Sequence, residues 1–156
     1  MDKVYLETSF FGYLTSRPST DLLVAGRQRI TRLWWEARRA SFELYVSQRV
    51  IDEAGAGDEV AAQERMFIVA GLPLVEINPQ VIQLAEDFVS RGPFPVIAED
   101  DAYHVAAATV HRMQFLLSWN CRHIANAQII RRAAALCGAQ GYDLPTICTP
   151  EQLMGE

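Results

Sequence analysis

Along the chain, short apolar runs alternate with longer stretches in which apolar residues recur at helical spacing. Val4–Leu6 predicts a first strand, stopped by Glu7-Thr8-Ser9. Thr20 to Arg39 predicts a helix with Leu23, Ile30, Leu33, Trp34 and Ala37 along one stripe. Trp34 and Trp35 are adjacent, so one belongs in the core and the other is partly exposed. Phe42–Val46 predicts a second strand, with Ser47 capping the helix that follows. Gly55 and Gly57 break that helix, and Asp58 caps the next, which runs to about Ala70. After the Gly71/Pro73 turn, Leu74–Ile77 predicts a third strand, and Asn78-Pro79 starts a helix with an Asn cap and Pro in the first turn. Gly92-Pro93-Phe94-Pro95 stops it. Glu99-Asp100-Asp101 opens another helix, Phe115–Leu117 predicts a fourth strand, and a helix from near Asn126 to Cys137 ends at Gly138. Thr146–Cys148 predicts a fifth strand, and Thr149-Pro150-Glu151-Gln152 reads as a capping box. Strands alternating with helices predict an α/β fold: a three-layer α/β/α sandwich with a mostly parallel sheet of about five strands, in a single domain over residues 1–156.

Composition narrows the class. Half of the 156 residues are hydrophobic and 21% are charged, which excludes a disordered or fibrous chain. The net charge of −5 argues against a sequence-blind nucleic-acid coat, whose footprint is a basic excess. It leaves room for an enzyme that meets nucleic acid locally. Lys3 is the lone lysine among 14 cations, and the arginines bring a fork suited to phosphate. Cys121, Cys137 and Cys148 are an odd number without C-x-x-C spacing, so a reduced, cytoplasmic compartment is expected. Glu7 comes too early for a signal peptide, and no apolar run approaches the roughly 20 residues of a membrane span.

The chemistry of such folds sits beyond the carboxyl ends of the strands. The polar residues there are Glu7, Thr8 and Ser9 after strand one, Ser47 after strand two with Glu53 about two turns on, and Ser118 and Asn120 after strand four. Asp100 and Asp101 open the helix leading into strand four. The glycine-rich phosphate loops and a G-x-S-x-G nucleophile are absent from the sequence, and Cys121-x-His123 has no second pair for zinc. What remains is a set of carboxylates with one amide, a hard-oxygen set suited to Mg²⁺ or Mn²⁺. Each residue also has an ordinary structural reading: Glu7 as a strand-end acid, Glu53 as a solvated helix residue, Asp100 and Asp101 as partners of the helix dipole, Asn120 as a turn residue.

Three segments resemble the PIN-domain family of metal-dependent nucleases: Val4-Tyr5-Leu6-Glu7-Thr8-Ser9, Asp101-Ala102-Tyr103-His104-Val105-Ala106-Ala107-Ala108, and Phe115-Leu116-Leu117-Ser118-Trp119-Asn120. Ser47 to Glu53 fits the family's second-acid segment less specifically. The resemblance orders the chain from about residue 3 to 150. It implies a Rossmann-like sandwich, Mg²⁺ or Mn²⁺ between acids, and cleavage of single-stranded RNA. It further implies the toxin of a VapBC-type pair, restrained by a small antitoxin, and a homodimer. Carried over, the metal ligands are Glu7, Glu53 and Asp101, with Asn120 in the fourth catalytic position. Thr8, Ser9, Asp100 and His104 are supporting residues. Arg122 and His123 stand where they could meet phosphate, and His123 and Asn126 where they could hold a loop and cap the next helix. Arg17, Arg49, Arg122 and Arg131 are candidates to guide the RNA. Two departures set this chain apart: Glu7 replaces the usual Asp, and Asn120 is neutral. They motivate the alternative of a weakened or inactive module that binds RNA, DNA or a protein partner.

Overall fold

The computed structural model describes residues 1–155. Its strands are β1 (Lys3–Leu6), β2 (Glu43–Ser47), β3 (Leu74–Val75), β4 (Phe115–Leu117) and β5 (Thr146–Cys148). They form one sheet in the order β3-β2-β1-β4-β5, with every neighbouring pair parallel. The helices are α1 (Thr8–Thr15), α2 (Leu22–Arg38), α3 (Gln48–Ala54), α4 (Glu59–Val69), α5 (Pro79–Ser90), α6 (Glu99–Val110) and α7 (Ala127–Ala139). The architecture is the α/β/α sandwich that the alternation of elements predicts. Val4, Tyr5 and Leu6 are wholly buried, which is why β1 reads as an unbroken apolar run: a central parallel strand is covered on both faces. Among the described residues, no helix is long and apolar enough to cross a membrane.

Several start signals act as the sequence predicts. Asn78 accepts from the Val81 N–H, with Pro79 behind it, and Asp58 from the Ala61 N–H. Asn126 accepts from the Gln128 and Ile129 N–H groups, and the Thr149–Gln152 capping box is formed. Trp34 is core and Trp35 half-buried, as expected for an adjacent pair.

Four details differ. Helix α1 begins directly after β1 and was not legible; it is eight residues long, too short to display a period, and it buries Phe10 and Phe11. Helix α2 is rotated from the predicted stripe: Leu23 is 66% and Leu33 41% exposed, and Ala37 is also outside. Trp34 faces inward as predicted, but in the company of Gln28 and Thr31 rather than the leucines, because each polar group has a partner. Thr31 Oγ1 donates to the Arg27 carbonyl and accepts from Trp119 Nε1 at 2.8 Å. Strand β3 ends at Val75 rather than Ile77, since its neighbour β2 ends at Ser47, opposite Val75, and offers nothing further to pair with. Ser47 does not cap α3; its buried hydroxyl is bonded to the Tyr5 hydroxyl.

Candidate functional site

The chain leaves β1 toward β2 and β3, then returns to the opposite side of β1 to form β4. The β1/β4 boundary is therefore the topological switch point, where the carboxyl ends of neighbouring strands open a crevice. Glu7 stands at the end of β1 and Ser118 at the end of β4, on the two sides of that crevice. Glu7 is 5% exposed and caps α1. One of its oxygens, Oε2, accepts from the Ser9 N–H at 3.1 Å, from Ser9 Oγ at 2.5 Å and from Ser118 Oγ at 2.8 Å. Ser118 Oγ in turn accepts from the Asn120 N–H, and Ser9 Oγ from the Trp119 N–H. The ends of β1 and β4 are thus stitched together around one carboxylate oxygen, and among the described residues no hydrogen bond falls on the other, Oε1.

Glu53 comes from the last turn of α3. Its Oε1 accepts from Thr8 Oγ1 at 2.6 Å and from His104 Nε2; among the described residues its Oε2 carries no hydrogen bond. His104, on α6, is fully buried, and its Nδ1 is bonded to the Tyr5 hydroxyl at 2.7 Å. A buried chain therefore runs Ser47–Tyr5–His104–Glu53 across β2, β1, α6 and α3. Asp101, one turn before His104, is paired with His123 Nδ1 at 3.3 Å. Asn120 accepts from the His123 N–H at 3.0 Å, so it braces the loop that carries the partner of Asp101.

The electrostatics follow from this packing. Burial pushes the Glu7 carboxyl up, against the His104 charge and the Ser9 and Ser118 bonds. Burial also pushes Asp101 up, with His104, Asn120 and His123 opposing and the Glu53 charge adding. Burial acts the same way on Glu53, but there the His104 bond and charge, Thr8 and Arg49 outweigh it and hold the carboxyl below its usual range. Burial alone would lower His104; the Glu53 bond and the charges of Glu7, Glu53 and Asp101 raise it instead. All three acids act on one imidazole.

The chain matches no protein-family model and no curated protein. The reading of the site therefore rests on its own geometry and on the sequence resemblance.

Thr8, Ser9 and His104 each touch an acid of the set. Asp100 does not: it is exposed and paired with Arg49 at 2.5 Å, and Arg49 also lies over the Tyr103 ring. His123 is committed to Asp101, whereas Arg122 is exposed and has no carboxylate partner among the described residues. Sequence reasoning missed Tyr5 and Arg27. Tyr5 was hidden because a tyrosine in an apolar strand reads as packing. Arg27 lies over Trp119 at 5.2 Å from its ring centroid, a meeting of α2 with the β4 loop that no local signal marks.

The donor set bears on the implied metal. Glu7 and Glu53 each hold one oxygen in hydrogen bonds and leave the other open, and all the donors are hard oxygens suited to Mg²⁺ or Mn²⁺. Among the described residues, no three His, Cys, Asp or Glu side chains are grouped so that they could hold a metal ion as they stand. The carboxylates fit such an ion in chemistry, and would have to draw together around it. A more open groove of about 840 Å³, lined by residues such as Trp35, Phe42, Phe67 and Leu72, contains none of these groups.

Proposed function

We propose that this protein is a PIN-type, metal-dependent endoribonuclease acting on single-stranded RNA, with Glu7, Glu53 and Asp101 as its metal ligands. The observation that supports this reading best is the meeting of β1, α3 and α6 at the switch point: the adjacent Thr8 and Ser9 bond Glu53 and Glu7, and Glu53 bonds His104, one turn from Asp101. Acids gathered in this way carry a burial cost that a cation would relieve. Mg²⁺ or Mn²⁺ held there would activate water and stabilise the leaving oxygen of a phosphodiester. Ser9 and Ser118 fix the rotamer of Glu7, Thr8 and His104 fix that of Glu53, and His123, its backbone held by Asn120, braces Asp101. Orientation of this kind is what Glu7 needs, since its extra methylene relative to Asp adds a freely rotating bond. The role of a toxin held by a small antitoxin rests on the sequence resemblance alone.

The test is cleavage of a mixed single-stranded RNA with Mg²⁺, with Mn²⁺ and with EDTA, wild type beside Asp101→Asn. Cleavage that needs the metal and falls at least 100-fold in the mutant is expected, because the change removes a ligand charge and keeps the shape. Equal cleavage by both proteins would sink the site assignment. One observation favours a second reading, a strand-binding module that does not cut: the Asn120 amide is neutral and its oxygen already accepts from the His123 N–H, so the fourth position adds no charge to a metal site. A folded protein that binds Mn²⁺ poorly and cuts with neither metal would support it.

A further inference from the structure

Beside the acids lies a groove of about 550 Å³ that the reaction chemistry leaves unused. Ser9 forms its inner end and Tyr13 and Arg17 line it, with Gln28 at its base. Its volume falls within the roughly 300–1,000 Å³ of clefts that hold small organic groups. The groove meets the site directly, since Ser9 Oγ contacts both Glu7 and the Trp119 N–H.

Two features give it a chemical character. The first is cationic. The Arg27 guanidinium lies 5.2 Å from the Trp119 ring centroid and 5.9 Å from that of Tyr13, and donates to the Tyr13 hydroxyl at 3.3 Å. Arg17 is exposed. Among the described residues, neither arginine has a carboxylate partner, although the chain carries a net charge of −5. The second is rigidity. Gln28 is buried, and it spends both ends of its amide on the loop: Nε2 donates to the Arg17 carbonyl at 2.8 Å and Oε1 accepts from the Ser19 N–H at 3.0 Å. The backbone that carries Arg17 is pinned while its side chain stays free. A half-buried tyrosine that shares a groove with one exposed arginine and is braced by a second is the chemistry that holds a strand with π-faced bases and an anionic backbone.

We infer that this groove seats the nucleotide next to the reacting phosphate, with Tyr13 as the stacking platform and Arg17 as the phosphate contact, while Arg27, outside the lining, holds the Tyr13 ring in place. The inference rests on the nuclease reading and adds the path of the strand. An acidic protein segment would use the arginines and have no need of the ring, which is why a nucleic-acid strand is favoured.

The test is fluorescence anisotropy with labelled 12-nucleotide single-stranded RNA and DNA in EDTA, so that binding is read without cleavage. Tyr13→Ala should weaken RNA binding about tenfold, while Tyr13→Phe, which keeps the ring, should bind like wild type. Arg17→Ala should reduce the slope of log K against log salt by about 0.7, the contribution of one contact to a single strand. Arg132→Ala, on the exposed part of α7, should change neither quantity. A thermal melt of each variant checks that the fold is kept. If wild type binds and cuts RNA but the Tyr13 and Arg17 variants match it in affinity and salt slope, the groove is wrong and the nuclease reading stands. If wild type binds neither strand, the groove inference is overturned, and the cleavage assay then judges the nuclease reading separately. Equal loss of RNA and DNA binding assigns the groove to base and phosphate; a loss confined to RNA adds recognition of the 2′-hydroxyl.

Discussion

Tyr5→Phe deletes one oxygen atom from the middle of the sheet and leaves the ring in place. That oxygen is fully buried, 2.8 Å from Ser47 Oγ and 2.7 Å from His104 Nδ1. Neither of those atoms has another hydrogen-bond partner among the described residues, so the substitution orphans two buried polar groups at once. Leaving such a group unsatisfied costs about 1–3 kcal/mol. The expected loss is about 3 kcal/mol, toward the lower end for two groups because a serine hydroxyl can rotate. For a chain of this length that lowers Tm by roughly 6–12 °C. Urea unfolding is the assay, with a shifted midpoint and an unchanged slope as the signature of lost stability. Ser47→Ala in the same background removes one orphan, so the double mutant should fall short of additivity by about 1 kcal/mol or more. The consequence for the site follows from the imidazole. Whether neutral or charged, His104 presents Nε2–H to Glu53, and only the direction of the Tyr5 hydroxyl changes between the two states. Freed from Tyr5, the ring no longer holds Glu53 in one orientation, and metal affinity should fall with it. A loss below about 0.5 kcal/mol, or strict additivity with Ser47→Ala, would refute the idea that this chain of hydrogen bonds supports the fold.

Burial pushes the Cys137 and Cys148 thiols up to about 11, against a smaller opposing Thr109 bond at Cys137, and leaves Cys121 exposed. Native protein at pH 8 should therefore alkylate at Cys121 alone, read by intact mass, and modification of all three without denaturant would contradict the packing. Gly92→Ala should destabilise by about 1–3 kcal/mol in the same urea assay, since a Cβ there would stand 2.7 Å from the Phe88 carbonyl oxygen and 3.0 Å from its Cα; wild-type stability would show that the α5 terminus yields more easily than its backbone contacts indicate. Burial works against the Asp87 carboxylate, but bonds from Gln140 and Gln83 and the Arg91 charge hold it below its ordinary value of 3.8. Its contribution is therefore complete above about pH 4 and is lost as pH falls through the lower folded-state value. Wild type should exceed Asp87→Asn by about 1–2 kcal/mol at pH 7, and the gap should close toward pH 3; a gap that persists in acid would break the argument.

The alternation of apolar runs and helical periods was enough to determine the fold class, because a parallel sheet covered on both faces leaves each strand uniformly apolar and each helix amphipathic. The same pattern located the carboxyl ends of the strands and a wider set of polar residues near them; it was the family resemblance that singled out Glu7, Glu53, Asp101 and Asn120 from that set. Caps at Asp58, Asn78 and Asn126 were legible because they act over three residues of local sequence. What faces what across elements was decided only by tertiary packing. Periodicity places His104 one turn after Asp101 on a shared face, yet its ring turns to Glu53 on another helix, and Asp101 finds His123 on a loop. Asp100 and Asp101 are neighbours in sequence; the first reaches out to Arg49 and only the second joins the acids. The inward face of α2 reversed expectation for the same reason: Gln28 and Thr31 are admitted to the interior by partners that lie 9 to 88 residues away along the chain. A pattern of hydrophobicity records which side chains avoid water, and it carries no record of which distant group a polar side chain will meet once the layers close.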